Sequence, residues 1–144
     1  MIYTDLTKKA MRIAYDAHKD QVDKSGLPYI FHPIHLAEQM DDEVSVCVAL
    51  LHDVVEDTAV EFEDLLAQGI CETVFETLRL LTHDNAVPYI DYVQKIKDSG
   101  NRAAIAVKLA DLRHNFDTSR LVVVDDKVRA RLEKYRGGVK MLEQ

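Results

Sequence analysis

The run from Val46 to Thr58, V-C-V-A-L-L-H-D-V-V-E-D-T, limits what this chain can fold into more than any other stretch. Read with the residues before it, Glu43 to Val55 is apolar nearly all round, which predicts a central helix enclosed by other helices. The same run carries His52, Asp53, Glu56 and Asp57. A carboxylate buried without a partner costs several kcal/mol or changes its protonation state. An imidazole and carboxylates on so apolar a segment therefore call for a strong compensating charge, and a divalent cation is the most economical one.

Elsewhere strand-like alternation is nearly absent and three- and four-residue spacings dominate. Leu6, Ala10, Ile13, Ala14 and Ala17 form one stripe, with Thr4 as N-cap. Ser25-Gly26 and Pro28 predict a loop over 23–29, and Pro33 opens a helix running to about Met40. Further stripes occupy 62–66, 74–81 and 89–96, and Ala103 to Phe116 is a second nearly all-apolar helix, interrupted by Lys108, Asp111, Arg113 and His114. A last helix starts after Asp125 and ends or frays at Gly137-Gly138. The expected architecture is all-α: one compact helical bundle of about seven or eight helices, residues 1–144 forming a single domain.

With 47% hydrophobic and 30% charged residues the chain is neither disordered nor membrane-spanning. Its start shows no signal-like segment, so a cytoplasmic location is expected. Two cysteines, Cys47 and Cys71, are too few for a disulfide framework. A net charge of −7 disfavours nucleic-acid polymers and anionic membranes as partners, but not a small phosphorylated ligand.

Four candidate metal ligands lie in three segments: His32, the doublet His52-Asp53, and Asp111. Neighbours on a helix diverge by ~100°, so both members of the doublet can meet one ion at the edge of a face. Two imidazoles and two carboxylates suit manganese, iron, zinc or cobalt better than calcium. Glu56 and Asp57 continue the faces of His52 and Asp53 by one turn, within reach of water at the site. Lys108 and Asn115 share the face of Asp111, and an ammonium and an amide there suit phosphate oxygens. Lys24, Arg102 and Arg113 are further basic candidates, whereas the basic run from Lys127 to Lys140 reads as a solvated helix face. His35 follows His32 by three residues, but no second carboxylate cluster supports a dinuclear site.

Three ordered blocks, A-H-K-D-Q-V-D-K-S-G-L-P-Y-I-F-H-P from Ala17, A-L-L-H-D-V-V-E-D-T from Ala49 and V-K-L-A-D-L-R-H-N from Val107, resemble the HD-domain phosphohydrolases. More narrowly, they resemble the hydrolase domain of RelA/SpoT proteins and the small stand-alone alarmone hydrolases. The likeness runs from about Met11 to Leu121. It implies that His32, His52, Asp53 and Asp111 bind one manganese ion, that Glu56 and Asp57 activate or orient the attacking water, and that Lys24 and Asn115 contact substrate. The implied reaction removes pyrophosphate from the 3′ position of ppGpp or pppGpp. No room is left for a synthetase domain, so alarmone synthesis is not expected. One departure concerns the base: relatives carry arginine before the K-S-G lysine, and this chain has Asp23. The alternatives are hydrolysis of another nucleotide and a metal-containing, nucleotide-binding regulatory module without turnover.

Overall fold

The computed structural model describes residues 1–117 and 124–144; the expected end of the family likeness at Leu121 lies outside them. Among the described residues there are nine helices and no strand, one isolated antiparallel bridge joining Val22 to Pro28. They are α1 (Asp5–His18), α2 (Phe31–Glu38), α3 (Glu43–Leu51), α4 (Val54–Asp57), α5 (Phe62–Ala67), α6 (Glu72–Leu81), α7 (Tyr89–Asp98), α8 (Arg102–Phe116) and α9 (Asp126–Glu143). The bundle is all-α, as the spacing predicts. None of its described helices is long and apolar enough to cross a membrane.

Helix α3 is the axis of the core. Every residue from Ser45 to Leu51 is buried, and α1, α2, α6 and α8 pack around it. Thr4 caps α1 through Thr7, and Asp42 caps α3 by accepting from the Ser45 amide. Helix α2 starts two residues before the expected position, so Pro33 sits within its first turn, where a missing N–H costs nothing.

Two expectations are corrected. The segment from Glu43 to Val55 is not one helix: it breaks at His52-Asp53 into α3 and the single turn α4. The cause is local. His52 Nδ1 lies 2.7 Å from the Ala49 carbonyl and takes the acceptor that a continuous helix would offer to the Asp53 amide. At the break both side chains of the doublet reach one cluster of ligand atoms. The second correction concerns α9, which continues through Gly137-Gly138 to Glu143. Gly138 is buried where α9 crosses α8, and a Cβ there would lie 2.9 Å from Leu112 Cδ1. A Cβ on Gly137 would meet nothing within 4 Å.

That contrast gives opposite outcomes on one helix. Gly137→Ala should stabilise the protein by about 0.5–1 kcal/mol through helix propensity. Gly138→Val should cost about 1–3 kcal/mol by overpacking against the fully buried Leu112. Urea denaturation of the two variants checks both signs.

Candidate metal centre and cleft

Helices α2, α3–α4 and α8 converge at one end of the core. His32, His52, Asp53 and Asp111 each present a ligand atom there, all within 4.8 Å of one another. His32 Nε2 is 2.9 Å from Asp111 Oδ1 and 3.9 Å from Asp53 Oδ2. His52 Nε2 is 2.9 Å from Asp53 Oδ2 and 3.5 Å from Asp111 Oδ1. Both histidines and Asp111 are buried.

The donor set fits a cation on an observation at His52. The Ala49 carbonyl can only accept, so Nδ1 must carry the ring proton. In the neutral ring Nε2 is then a bare lone pair, buried without a hydrogen-bond partner and facing two carboxylates. A lone pair against anionic oxygens is repulsive unless a proton or a metal ion stands between them. In the metal-free protein the proton does so. Burial pulls the His52 imidazole down, but Asp53 and Asp111 outweigh it and hold it well above its ordinary range. Burial pushes Asp111 up, but Lys108 and the two histidines more than reverse this.

Surrounding groups hold the four in place. The Tyr29 hydroxyl donates to Asp53 Oδ2, and Asn115 Nδ2 donates to Asp111 Oδ1 at 3.1 Å. Lys108 Nζ is 3.1 Å from Asp111 Oδ2 and lies over the rings of Tyr92 and Tyr89. Glu56 accepts the His83 amide at 2.6 Å, which ties α4 to the segment after α6. Burial and the nearby charge of Asp53 raise the Asp57 carboxyl above its ordinary value, and burial likewise raises Glu56.

A cleft of about 550 Å³ opens on the centre. Asp53, Asp57, Asp111 and Asn115 line it together with Asp23, Lys24 and Tyr29 from the segment before α2, Asp117 after α8, and Arg131 and Tyr135 of α9. Burial, then the charges of Arg131 and Lys127, lowers the Lys24 ammonium, so these cations share a field at the mouth. Neither Lys108 nor Glu56 is part of this lining: Lys108 pairs with Asp111, and Glu56 turns to the His83 amide. Arg113 points away and pairs with Glu143 of α9 at 2.7 Å. Arg102 feels Asp42 at the far end of α8 and does not line the cleft.

No protein-family model matches the chain. Among curated proteins it is 32% identical over 124 residues to the bifunctional (p)ppGpp synthase/hydrolase SpoT of Escherichia coli, covering 77% of this chain and 18% of the relative. It is 34% identical over 120 residues to the guanosine-3′,5′-bis(diphosphate) 3′-pyrophosphohydrolase of Haemophilus influenzae, covering 74% and 17%. The chain thus spans less than a fifth of the length of these relatives. A solved structure of a metazoan orthologue of SpoT that hydrolyses ppGpp superposes with a TM-score of 0.81 at 22% identity, covering 99% of this chain and 88% of that one. In sequence and in fold, the chain resembles the hydrolase domain of RelA/SpoT proteins.

Several residues of the site have no signature of their own in the sequence. Tyr29 sits in a loop and reaches the centre only because that loop folds back through the Val22–Pro28 bridge. Arg131 belongs to the basic run expected to be a solvated face, Tyr135 to the apolar stripe of the same helix, and both line the cleft because α9 packs across α8. Gln21 accepts from His18 Nδ1 at 2.8 Å and donates to the Asp57 carbonyl at 2.7 Å, clamping α4 to the end of α1. Asp23 Oδ1 receives the Ser25 amide at 2.8 Å, the Ser25 hydroxyl at 2.6 Å and the Leu27 amide at 3.0 Å. Its charge organises the loop that carries Lys24.

Proposed function

We propose that residues 1–144 form a single HD-type domain that hydrolyses a phosphoester of a small nucleotide, with removal of pyrophosphate from the 3′ position of ppGpp as the foremost reaction. The observation that carries this reading is the His52 Nε2 lone pair, turned by its backbone bond toward two carboxylates at the floor of a cation-rimmed cleft.

His32, His52, Asp53 and Asp111 would hold one divalent ion, and manganese matches their mixed nitrogen and oxygen donors. Such an ion supplies Lewis acidity toward a phosphoryl oxygen and acidifies nearby water. The chain's own groups do the rest. Asp57 lines the floor with a raised pKa, suited to accepting a proton from the attacking water and returning it to the leaving group. Glu56, its carboxylate anchored on the His83 amide, orients the same water. Lys24 and Asn115 contact the phosphates, with Arg131 across the cleft to offset their charge. Lys108, named with these from the sequence, acts on substrate through Asp111. A cytoplasmic setting, where nucleotides are held, agrees with this role.

Phosphate and pyrophosphate release from ppGpp and from a nucleotide panel, with manganese and with chelator, tests the proposal. Glu56→Gln and Asp57→Asn should each lower kcat about 10²–10⁴-fold while metal affinity stays near that of the parent. Activity indifferent to His52→Ala would refute it. Asp23 favours a second reading in substrate alone. Its carboxylate lines the mouth of the cleft where a nucleoside would enter, so a higher kcat/KM for another nucleotide on the panel would shift the substrate and keep the chemistry.

A further inference from the structure

Four histidines lie outside the ligand set, and one of them, His114, touches it. His114 Nδ1 lies 2.6 Å from His32 Nδ1. The two rings are within 13° of one plane, with centroids 4.9 Å apart. That separation is the N···N contact plus the two ring radii, so the rings meet edge to edge, in the plane of an N–H···N hydrogen bond. On its far side His114 packs on His35, centroids 4.4 Å apart. Resting on the metal reading above, we infer that His114 is a positioning residue that sets the ring tautomer of His32 and lets it change when the ion enters.

Two imidazole nitrogens at this distance share one proton; two protons or none would repel. If the proton belongs to His114, neutral His32 carries its own on Nε2 and donates it to Asp111 Oδ1, 2.9 Å away. That arrangement satisfies the empty centre. If the proton belongs to His32 Nδ1, His32 Nε2 is a lone pair aimed at the four-ligand cluster, and His114 carries its proton on Nε2. That arrangement is the ligating one. Passing between them moves the shared proton across the short contact, releases one proton from His32 Nε2 and takes one up at His114 Nε2. The number of protons on the pair, and its charge, do not change. His32 can therefore give way to a cation without leaving an unpaired charge in the core. An outer partner of a ligating histidine commonly governs affinity in this manner.

The test uses the whole chain at about pH 8, where neutral imidazole is the competent form. Nitrogen-15 correlation spectra of the histidine rings are recorded metal-free and with zinc, which is diamagnetic. The expected spectra show His32 protonated on Nε2 without metal and on Nδ1 with it, His114 switching in the opposite sense. By calorimetry, His114→Ala should weaken zinc and manganese binding about 10–100-fold. His114→Asn, whose amide can accept or donate at the Nδ1 position, should recover most of the loss. Parental affinity in His114→Ala, or the same His32 tautomer in both spectra, would overturn the inference. Were the parent protein to bind no metal, the metal reading would fail by itself. The metal-free spectrum would still decide the pair: a proton on His32 Nε2 with His114 donating supports it, and any other arrangement sinks it.

Discussion

Asp111→Ala should abolish metal binding and destabilise the metal-free protein by about 3–5 kcal/mol, the range for breaking a buried ion pair from one side. Asp111 is 6% exposed and its carboxylate engages groups from α2, from its own helix α8 and from the α3–α4 break. Oδ1 meets His32 Nε2 at 2.9 Å, Asn115 Nδ2 at 3.1 Å and His52 Nε2 at 3.5 Å, while Oδ2 meets Lys108 Nζ at 3.1 Å. Without it the Lys108 ammonium keeps the rings of Tyr89 and Tyr92 and the more distant charge of Glu56. Burial alone would lower Lys108, and Asp111 foremost holds it above its ordinary range. Alanine removes that support and leaves the burial. Adding Lys108→Met to Asp111→Ala should return much of the lost stability, because the stranded charge goes with it, yet should restore no metal binding. The pH sign follows from the depressed Asp111 carboxyl. Its stabilising contribution is present above the unfolded value of about 3.9 and is lost as pH falls through the folded value. The deficit of the variant is therefore largest near neutrality and shrinks in acid. Urea denaturation of chelated parent, single and double variants measures this. A loss under about 1 kcal/mol at neutral pH would show that Lys108 does not depend on Asp111.

The same pair shows how far the sequence reaches. The apolar surrounds of Val46–Val55 and Ala103–Phe116 mark both helices as buried, and ionisable residues inside them mark a centre. The structure brings all four expected ligands together. Spacing says less about direction. Lys108 and Asn115 share a face with Asp111, and that fact alone fits a contact with phosphate as well as a contact with Asp111 itself. Packing distinguishes the two: Asn115 both donates to Asp111 and lines the cleft, whereas Lys108 pairs with the other oxygen of Asp111, over the rings of Tyr89 and Tyr92, and is not among the lining residues. The break at His52-Asp53 is hidden because nothing in an apolar run announces that a side chain will capture its own helix's carbonyl. The wall built by Arg131 and Tyr135 is hidden because it depends on α9 crossing α8 at Gly138, and a glycine pair in a basic helix resembles a terminator. Local chemistry was legible; what required the tertiary crossing was not.

The rise in melting temperature that manganese produces should be small in acid and should widen steadily toward mildly alkaline solution. A proton and a cation compete for one lone pair, His52 Nε2. In the metal-free protein burial works against that proton, but Asp53 and Asp111 outweigh it, so the ring stays protonated well above its ordinary value of 6.5. Two consequences run in opposite directions. For the chelated protein, a raised histidine contributes stability that is fully present below the unfolded pKa and is lost as pH rises through the folded one. For the loaded protein, deprotonation is what ligation needs, so affinity climbs over the same interval. Each tenfold gain in affinity adds about 1.4 kcal/mol to the gap between loaded and chelated protein when the ion is in excess. The two melting curves should therefore diverge up to the folded value of His52: below pH 6.5 the loaded protein gains stability while the chelated one holds level, and above it the chelated protein loses stability while the loaded one holds level. Scanning calorimetry with excess manganese and with chelator, at steps from about pH 5 to 9, reads the gap directly. His52→Asn should remove both limbs, leaving the chelated curve flatter and the metal effect weak at every pH. A gap of constant size in the parent protein would take His52 out of the centre and leave Asp53 facing Asp111 without the imidazole between them.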